Sequence, residues 1–143
     1  MYGAILVPTD GSDSSTAAVE QAVAIAEGDA ATVHFLHVID VSTEMSAGAS
    51  GSIAPQLTET LEDEAESALD EATSRAERAG VSHERVTREG DPHEVIAEYT
   101  AENGIDIVVM GASGQSGVKE RLLGSTTDRV VRSVDTSVLI ARP

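Results

Sequence analysis

Five short strand-like runs alternate along this chain with helix-patterned segments, and that alternation restricts the fold more than any other feature. The runs cover residues 4–7, 32–39, 81–88, 105–110 and 137–141. Strand–helix–strand units close by right-handed crossovers into a parallel sheet with helices on both faces. The expectation is a single α/β doubly wound domain over residues 1–143, with a five-stranded parallel sheet and four helices.

Local signals place the elements. Ala4-Ile5-Leu6-Val7 is continuous and apolar, as a strand buried on both faces requires, and Pro8-Thr9-Asp10-Gly11 closes it. Ser12, Asp13 and Ser14 offer N-cap oxygens for a helix to about residue 26, with Ala18, Ala22, Val23, Ile25 and Ala26 as its apolar stripe and Gly28 as its end. Residues 42–54, rich in Ser and Gly, read as a flexible loop. Pro55 then starts a long helix to about residue 78, with Leu57, Leu61, Ala65, Ala68, Leu69, Ala72 and Ala76 on one face and a solvated acidic face opposite. The polar run 81–88 suits a sheet edge. Asp91, Pro92 and Glu94 read as a capping box opening a helix that Asn103-Gly104 stops. Gly124-Ser125-Thr126-Thr127 opens the last helix, to about residue 134.

Composition excludes several functions. Twenty-five acids against nine bases give a net charge of -16, and Lys119 is the sole lysine. Such a surface repels nucleic-acid backbones and anionic membranes. It reads as an adaptation to high internal salt, with an ordinary acidic cytosolic protein as the alternative. There is one Phe, two Tyr and no Trp, which leaves few rings to stack bases or sugars. The absence of Cys excludes disulfides and thiol chemistry. No run approaches a membrane span, and Met1-Tyr2-Gly3-Ala4 carries no charged leader, so a cytoplasmic location is expected.

In doubly wound sheets ligands bind at the carboxyl ends of the strands, at the topological switch point. The loops in question follow Val7, Val38 and Met110. The strongest pattern there is Gly111-x-x-Gly114, nine residues, then Gly124-Ser125. Glycines let backbone N–H groups approach phosphate oxygens, and a helix N-terminus favours an anion. Ser125, Thr126 and Thr127 add hydroxyl donors, while Lys119, Arg121, Arg129, Arg132 and Arg142 give local positive charge. The bland alternative is a tight turn followed by a helix cap. Neither Gly-x-x-x-x-Gly-Lys-Ser/Thr nor Gly-x-Gly-x-x-Gly occurs after the first strand, which excludes a P-loop enzyme and argues against a dinucleotide domain. His34 and His37 point to opposite faces of one strand and cannot share a metal. His93-Glu94 lacks a second His, because Ala97 stands there. Ser113, Ser116 and Ser125 have no sequence-adjacent base to activate them.

Taken in order, Ile5-Leu6-Val7-Pro8-Thr9-Asp10-Gly11-Ser12, Leu36-His37-Val38-Ile39-Asp40, Gly90-Asp91-Pro92-His93-Glu94-Val95-Ile96, Val109-Met110-Gly111-Ala112-Ser113-Gly114 and Leu122-Leu123-Gly124-Ser125 resemble the universal stress protein family over the whole chain. The Gly-x2-Gly-x9-Gly-Ser spacing is similar to that of its ATP-binding subgroup. The resemblance implies an adenine nucleotide alpha hydrolase-like fold holding ATP, ADP or AMP, with magnesium or manganese on the phosphates. It implies that Pro8, Thr9 and Asp10 contact the base and ribose side, Asp10 taking the ribose. Val38 would present its backbone to the adenine edge and Met110 would pack nearby. Gly111, Gly114, Gly124, Ser125, Thr126 and Thr127 would hold the phosphates. Ser113 stands where many ATP-binding relatives carry His or Arg, which weakens one phosphate or metal contact. A homodimer through Val138-Leu139-Ile140 is also implied. The function expected is a nucleotide-dependent regulatory module in the stress response, read by a protein partner. Alternatives are a slow ATPase or an autophosphorylating switch at Thr126 or Ser125, and a nucleotide-free dimeric adaptor.

Overall fold

Nine elements realise the alternation in the computed structural model, which describes residues 2–40, 55–112 and 124–143. They are β1 (Ala4–Pro8), α1 (Asp13–Asp29), β2 (Thr32–Asp40), α2 (Pro55–Ala79), β3 (His83–Gly90), α3 (Pro92–Glu102), β4 (Ile107–Gly111), α4 (Ser125–Ser133) and β5 (Ser137–Ala141). All neighbouring strands pair in parallel, in the order β3-β2-β1-β4-β5. The expected doubly wound sheet with four helices is therefore present among the described residues. The loop expected at 42–54 lies outside them, as do Ser113, Gly114, Gln115, Ser116, Lys119 and Arg121.

The strand period of two sorts the core into two layers. Ile5, Val7, Val33, Phe35, Ile107 and Val109 face α1 and α2, meeting Ala18, Ala22 and Ala26 from α1 and Leu69, Ala72 and Ala76 from α2. Leu6, Leu36, Val108 and Met110 face the other side, with Ile96 and Tyr99 of α3 and Val130 of α4. The alanines seat α1 close against the sheet, and burial of each larger side chain contributes about 1.5–3 kcal/mol. The strand β3 is an edge, as its polarity implies. Arg85 on it pairs with Glu66 and Asp70 of α2 at 2.9 and 2.8 Å.

Helix ends differ from expectation at two points. Gly28 does not end α1, which runs on to Asp29. Ala30 makes the stop in a left-handed conformation at φ 54°, and its N–H bonds back to the Ala26 carbonyl. The Asp29 carboxylate meanwhile accepts the Tyr2 N–H at 2.8 Å, tying this end of the helix to the start of the chain. At α3, Asp91 holds the N-cap position but makes no side-chain capping bond. Its carboxylate turns to the His93 Nδ1 at 2.7 Å, so the expected capping box is not formed. At α1 the cap is as expected, since the Ser12 hydroxyl accepts the Ser15 N–H at 3.2 Å. The strand β3 begins at His83 rather than at Val81, because the Val81 N–H closes the end of α2 on the Ala76 carbonyl at 2.9 Å.

Candidate functional site

The order of strands puts the switch point between β1 and β4, and the ladder opens there. Pairing of β1 with β2 continues to Pro8↔Leu36, whereas pairing with β4 ends at Leu6↔Val108. Pro8 has no N–H to offer the ladder, so the loss of a partner at this level leaves no orphan donor. Beyond Pro8 the chain is held by β2: the Thr9 N–H donates to the Leu36 carbonyl at 2.8 Å.

The turn after Thr9 is built by its own side chains. Thr9 is buried, and its hydroxyl meets that of Ser15 at 3.3 Å. The Ser15 hydroxyl in turn donates to the Ser12 carbonyl at 3.0 Å. The Asp10 Oδ1 accepts the Ser12 N–H at 2.9 Å, forming an Asx turn. Gly11 sits at φ +80°, which disfavours any side chain at that position. Asp10 is thereby delivered, half-buried, to the mouth of the switch point.

On β2 the parity of the ladder decides where backbone groups point. The Val33 N–H reaches Ser82 on the β3 side, and the Leu36 carbonyl serves Thr9 on the β1 side. Successive residues alternate, so Val38, like Leu36, directs its N–H and C=O toward β1. The registered pairs of β1 end at Leu36, leaving the Val38 backbone facing the space past the end of that strand. Thr9 does not claim the Val38 N–H. Its carbonyl is met by the His37 Nδ1 at 2.9 Å.

At the end of β4, Gly111 touches the first turn of α1. A Cβ on Gly111 would lie 2.6 Å from the backbone and Cβ of Ser14, so this position admits only glycine. Met110 is buried on the α3 and α4 face. Three bonds seat the start of α4. The Gly124 N–H donates to the Ala112 carbonyl at 2.6 Å, the Ala112 N–H to the Ala141 carbonyl at 3.2 Å, and the Thr127 hydroxyl to the Gly111 carbonyl at 2.9 Å. The Thr127 proton is thus committed inside the fold, which departs from its expected place among outward hydroxyl donors. Ser125 is exposed and Thr126 half-buried. Gly124 caps the helix without a side chain, and the backbone N–H groups of Ser125, Thr126 and Thr127 have no partner among the described residues. Those unpaired donors and the helix dipole favour an anion at this helix start, with Asp128 the opposing charge in its first turn. Of the expected basic cluster, Arg132 is paired with Asp128 at 3.2 Å and Arg129 is exposed.

The histidines behave as opposite-face residues. His34 is buried against the Tyr99 hydroxyl at 2.7 Å, while His37 turns to Thr9. Burial, then the nearby Glu84 charge, pushes the Tyr99 hydroxyl above its ordinary pKa. Asp91, His93 and Glu94 bring three ligand atoms within 4.8 Å of one another. Asp91 and His93 already satisfy each other, and all three come from one turn of chain.

What the arrangement can do is bind a ligand with two recognisable ends. One end needs a flat polar edge matched to a backbone donor and acceptor at Val38; the other needs an anion at α4. The sequence alone did not reveal His37, whose partner Thr9 lies just past the end of β1, nor the close approach of Gly111 to Ser14.

Comparison with known proteins agrees with the fold. The model of the universal stress protein family matches residues 1–142. Universal stress protein MJ0531 of Methanocaldococcus jannaschii is 35% identical over 142 residues, covering 99% of this chain and 83% of the relative. The solved structure of MJ0577, from the same organism, superposes with a TM-score of 0.85 at 31% identity, covering 100% of this chain and 97% of that one. A universal stress protein solved in complex with cAMP has a TM-score of 0.72 at 32% identity, with 99% and 97% of the two chains covered.

Proposed function

The chain belongs to the universal stress protein family, and from that premise we propose that it binds an adenine nucleotide, ATP, ADP or AMP, across the carboxyl ends of β1, β2 and β4. The observation that carries the reading is the set of unpaired N–H groups at the start of α4, held beside Gly111 where the ladder between β1 and β4 has opened. The complex of a similar family member with cAMP supports the adenine class.

In this reading Val38 meets the base edge, with Pro8, Thr9 and Met110 shaping the walls around it. Asp10 takes the ribose hydroxyls. Backbone N–H groups of Ser125, Thr126 and Thr127 donate to phosphate oxygens, helped by the hydroxyls of Ser125 and Thr126 and by Gly111, Gly114 and Gly124. Thr127 contributes its N–H while its hydroxyl holds β4. Magnesium or manganese bound to the phosphates supplies countercharge. The nucleotide acts as a conformational ligand in stress regulation, read by a protein partner. The half-buried edge residues Val138, Leu139 and Ile140 of β5 pair with a second copy, which covers an otherwise open ladder. The net charge of -16 suits a salt-rich cytoplasm.

The test is to purify the protein in molar KCl, denature it and separate the supernatant beside nucleotide standards. A near-stoichiometric ATP peak is the expected result. ADP or AMP alone, with steady phosphate release from added ATP, would replace the regulatory reading with slow hydrolysis. An empty supernatant followed by a flat Mg-ATP titration would leave a nucleotide-free adaptor.

A further inference from the structure

Parallel pairing runs in a fixed rhythm: a residue donates its N–H to one neighbour and accepts, on its C=O, the N–H two residues further on. Thr9 obeys the first half, donating to the Leu36 carbonyl at 2.8 Å. The second half would bring the Val38 N–H onto the Thr9 carbonyl. That bond is absent, and the register stops at Pro8↔Leu36. The carbonyl is met at 2.9 Å by the His37 Nδ1. A carbonyl can only accept, so Nδ1 carries the proton whether the ring is neutral or charged.

We propose that His37 is a positioning residue for the nucleotide site: its ring N–H takes the ladder bond that the Val38 N–H would otherwise make, and so keeps the Val38 backbone available to the base. The inference rests on the nucleotide reading above and deepens it to base selectivity. Adenine offers an acceptor ring nitrogen beside an amino donor, which fits an N–H and a C=O on one strand edge. Guanine and hypoxanthine reverse that order, with a ring N–H beside a carbonyl. A strand end whose N–H stays unclaimed discriminates between them; one whose N–H is bonded to Thr9 does not. His37 also leaves the Thr9 backbone satisfied at both ends, so Asp10 follows from a fixed point.

Two replacements separate donor from bulk. His37→Asn places an amide N–H where Nδ1 stands, whereas His37→Leu keeps volume and removes the donor. In the full chain without nucleotide, amide hydrogen exchange tests the device itself. The Val38 amide should exchange freely in the parent and in His37→Asn, and about tenfold more slowly in His37→Leu, where it closes on Thr9. Equal protection in the parent and in His37→Leu overturns the proposal. Titration with ATP and with GTP in molar KCl tests its consequence. The preference for ATP should be kept within about threefold in His37→Asn and fall about tenfold in His37→Leu, the scale of one hydrogen bond. A parent that binds ATP together with a His37→Leu variant of unchanged preference overturns the inference alone. A parent that binds neither nucleotide overturns the nucleotide reading and the inference with it, and only the parent's titration reports that. Should His37→Leu fail to fold, a Val38 amide already protected in the parent still overturns the proposal.

Discussion

At the amino ends of the strands the Asp106 carboxylate accepts the N–H groups of Gly3 and Ala4, both at 2.9 Å, and Asp29 accepts that of Tyr2 at 2.8 Å. At the carboxyl ends the N–H groups of Ser125, Thr126 and Thr127 have no partner among the described residues, and that of Val38 faces past the end of β1. One end of the sheet has its backbone donors closed by the chain's own carboxylates; the other leaves donors that no described residue meets. The backbone N–H of Tyr2 holds the Asp29 carboxyl below its ordinary range, and those of Gly3 and Ala4 do the same for Asp106. Polar groups satisfied internally contribute to folding, and those left open are where the proposed recognition would take place.

Substitutions at each end should separate these roles. The largest effect is expected at Gly111→Ala, which drives a Cβ into the Ser14 backbone at 2.6 Å. Chemical denaturation should show a loss of about 1–3 kcal/mol together with lost ATP binding. An unaltered midpoint would mean that α1 and β4 separate easily, and that the carboxyl end is not preformed. The double change Ser125→Ala and Thr126→Ala comes next, with ATP affinity down about tenfold by calorimetry and a midpoint moved by less than about 0.5 kcal/mol. A loss of stability with full affinity would make this helix start structural, like the amino end. Thr127→Val is the intermediate case. It strips the Gly111 carbonyl of its buried partner at 2.9 Å and should cost about 1 kcal/mol, visible in the denaturation midpoint.

Asp106→Asn should give the smallest effect and sharpen the contrast most. A carboxyl whose folded pKa is depressed contributes stability above its unfolded pKa, and that contribution is lost as pH falls through the folded value. Denaturation midpoints followed from about pH 7 to about pH 3 should therefore fall less steeply in Asp106→Asn than in the parent. Nucleotide affinity should not change. Identical acid slopes would show that the bonds to Gly3 and Ala4 do not hold the amino end.

Much of this is legible along the chain because it depends on near neighbours. The apolar run before Pro8, the polar edge of β3, the Ser12 cap and the limits of β5 all follow from local period and turn chemistry. The parts that escape depend on side-chain partners that the local pattern does not select. Ala30, not Gly28, ends α1, next to an Asp29 tethered to Tyr2, a partner 27 residues away. The expected capping box fails because His93 competes for the Asp91 carboxylate. His37 looks like one more strand residue until the register sets it beside Thr9. Gly111, expected to make room for phosphate, also makes room for Ser14. Gly114 and the loop at 42–54 remain expectations of the sequence.

The alanine face of α1 has a mechanical consequence. Ala18, Ala22 and Ala26 are at most 2% exposed, with Val19 and Val23 buried beside them, so most of the helix's contact with the sheet is through small side chains. The same helix begins with Ser14 against Gly111 and with Ser12 and Ser15 bracing the Asp10 turn. The thickness of this alanine layer sets the stand-off of the whole rod. A larger side chain at Ala22, well away from the mouth, would lift that rod and widen the gap between Asp10 and the start of α4. Core volume would thus act as a distant adjustment of the aperture of the proposed site.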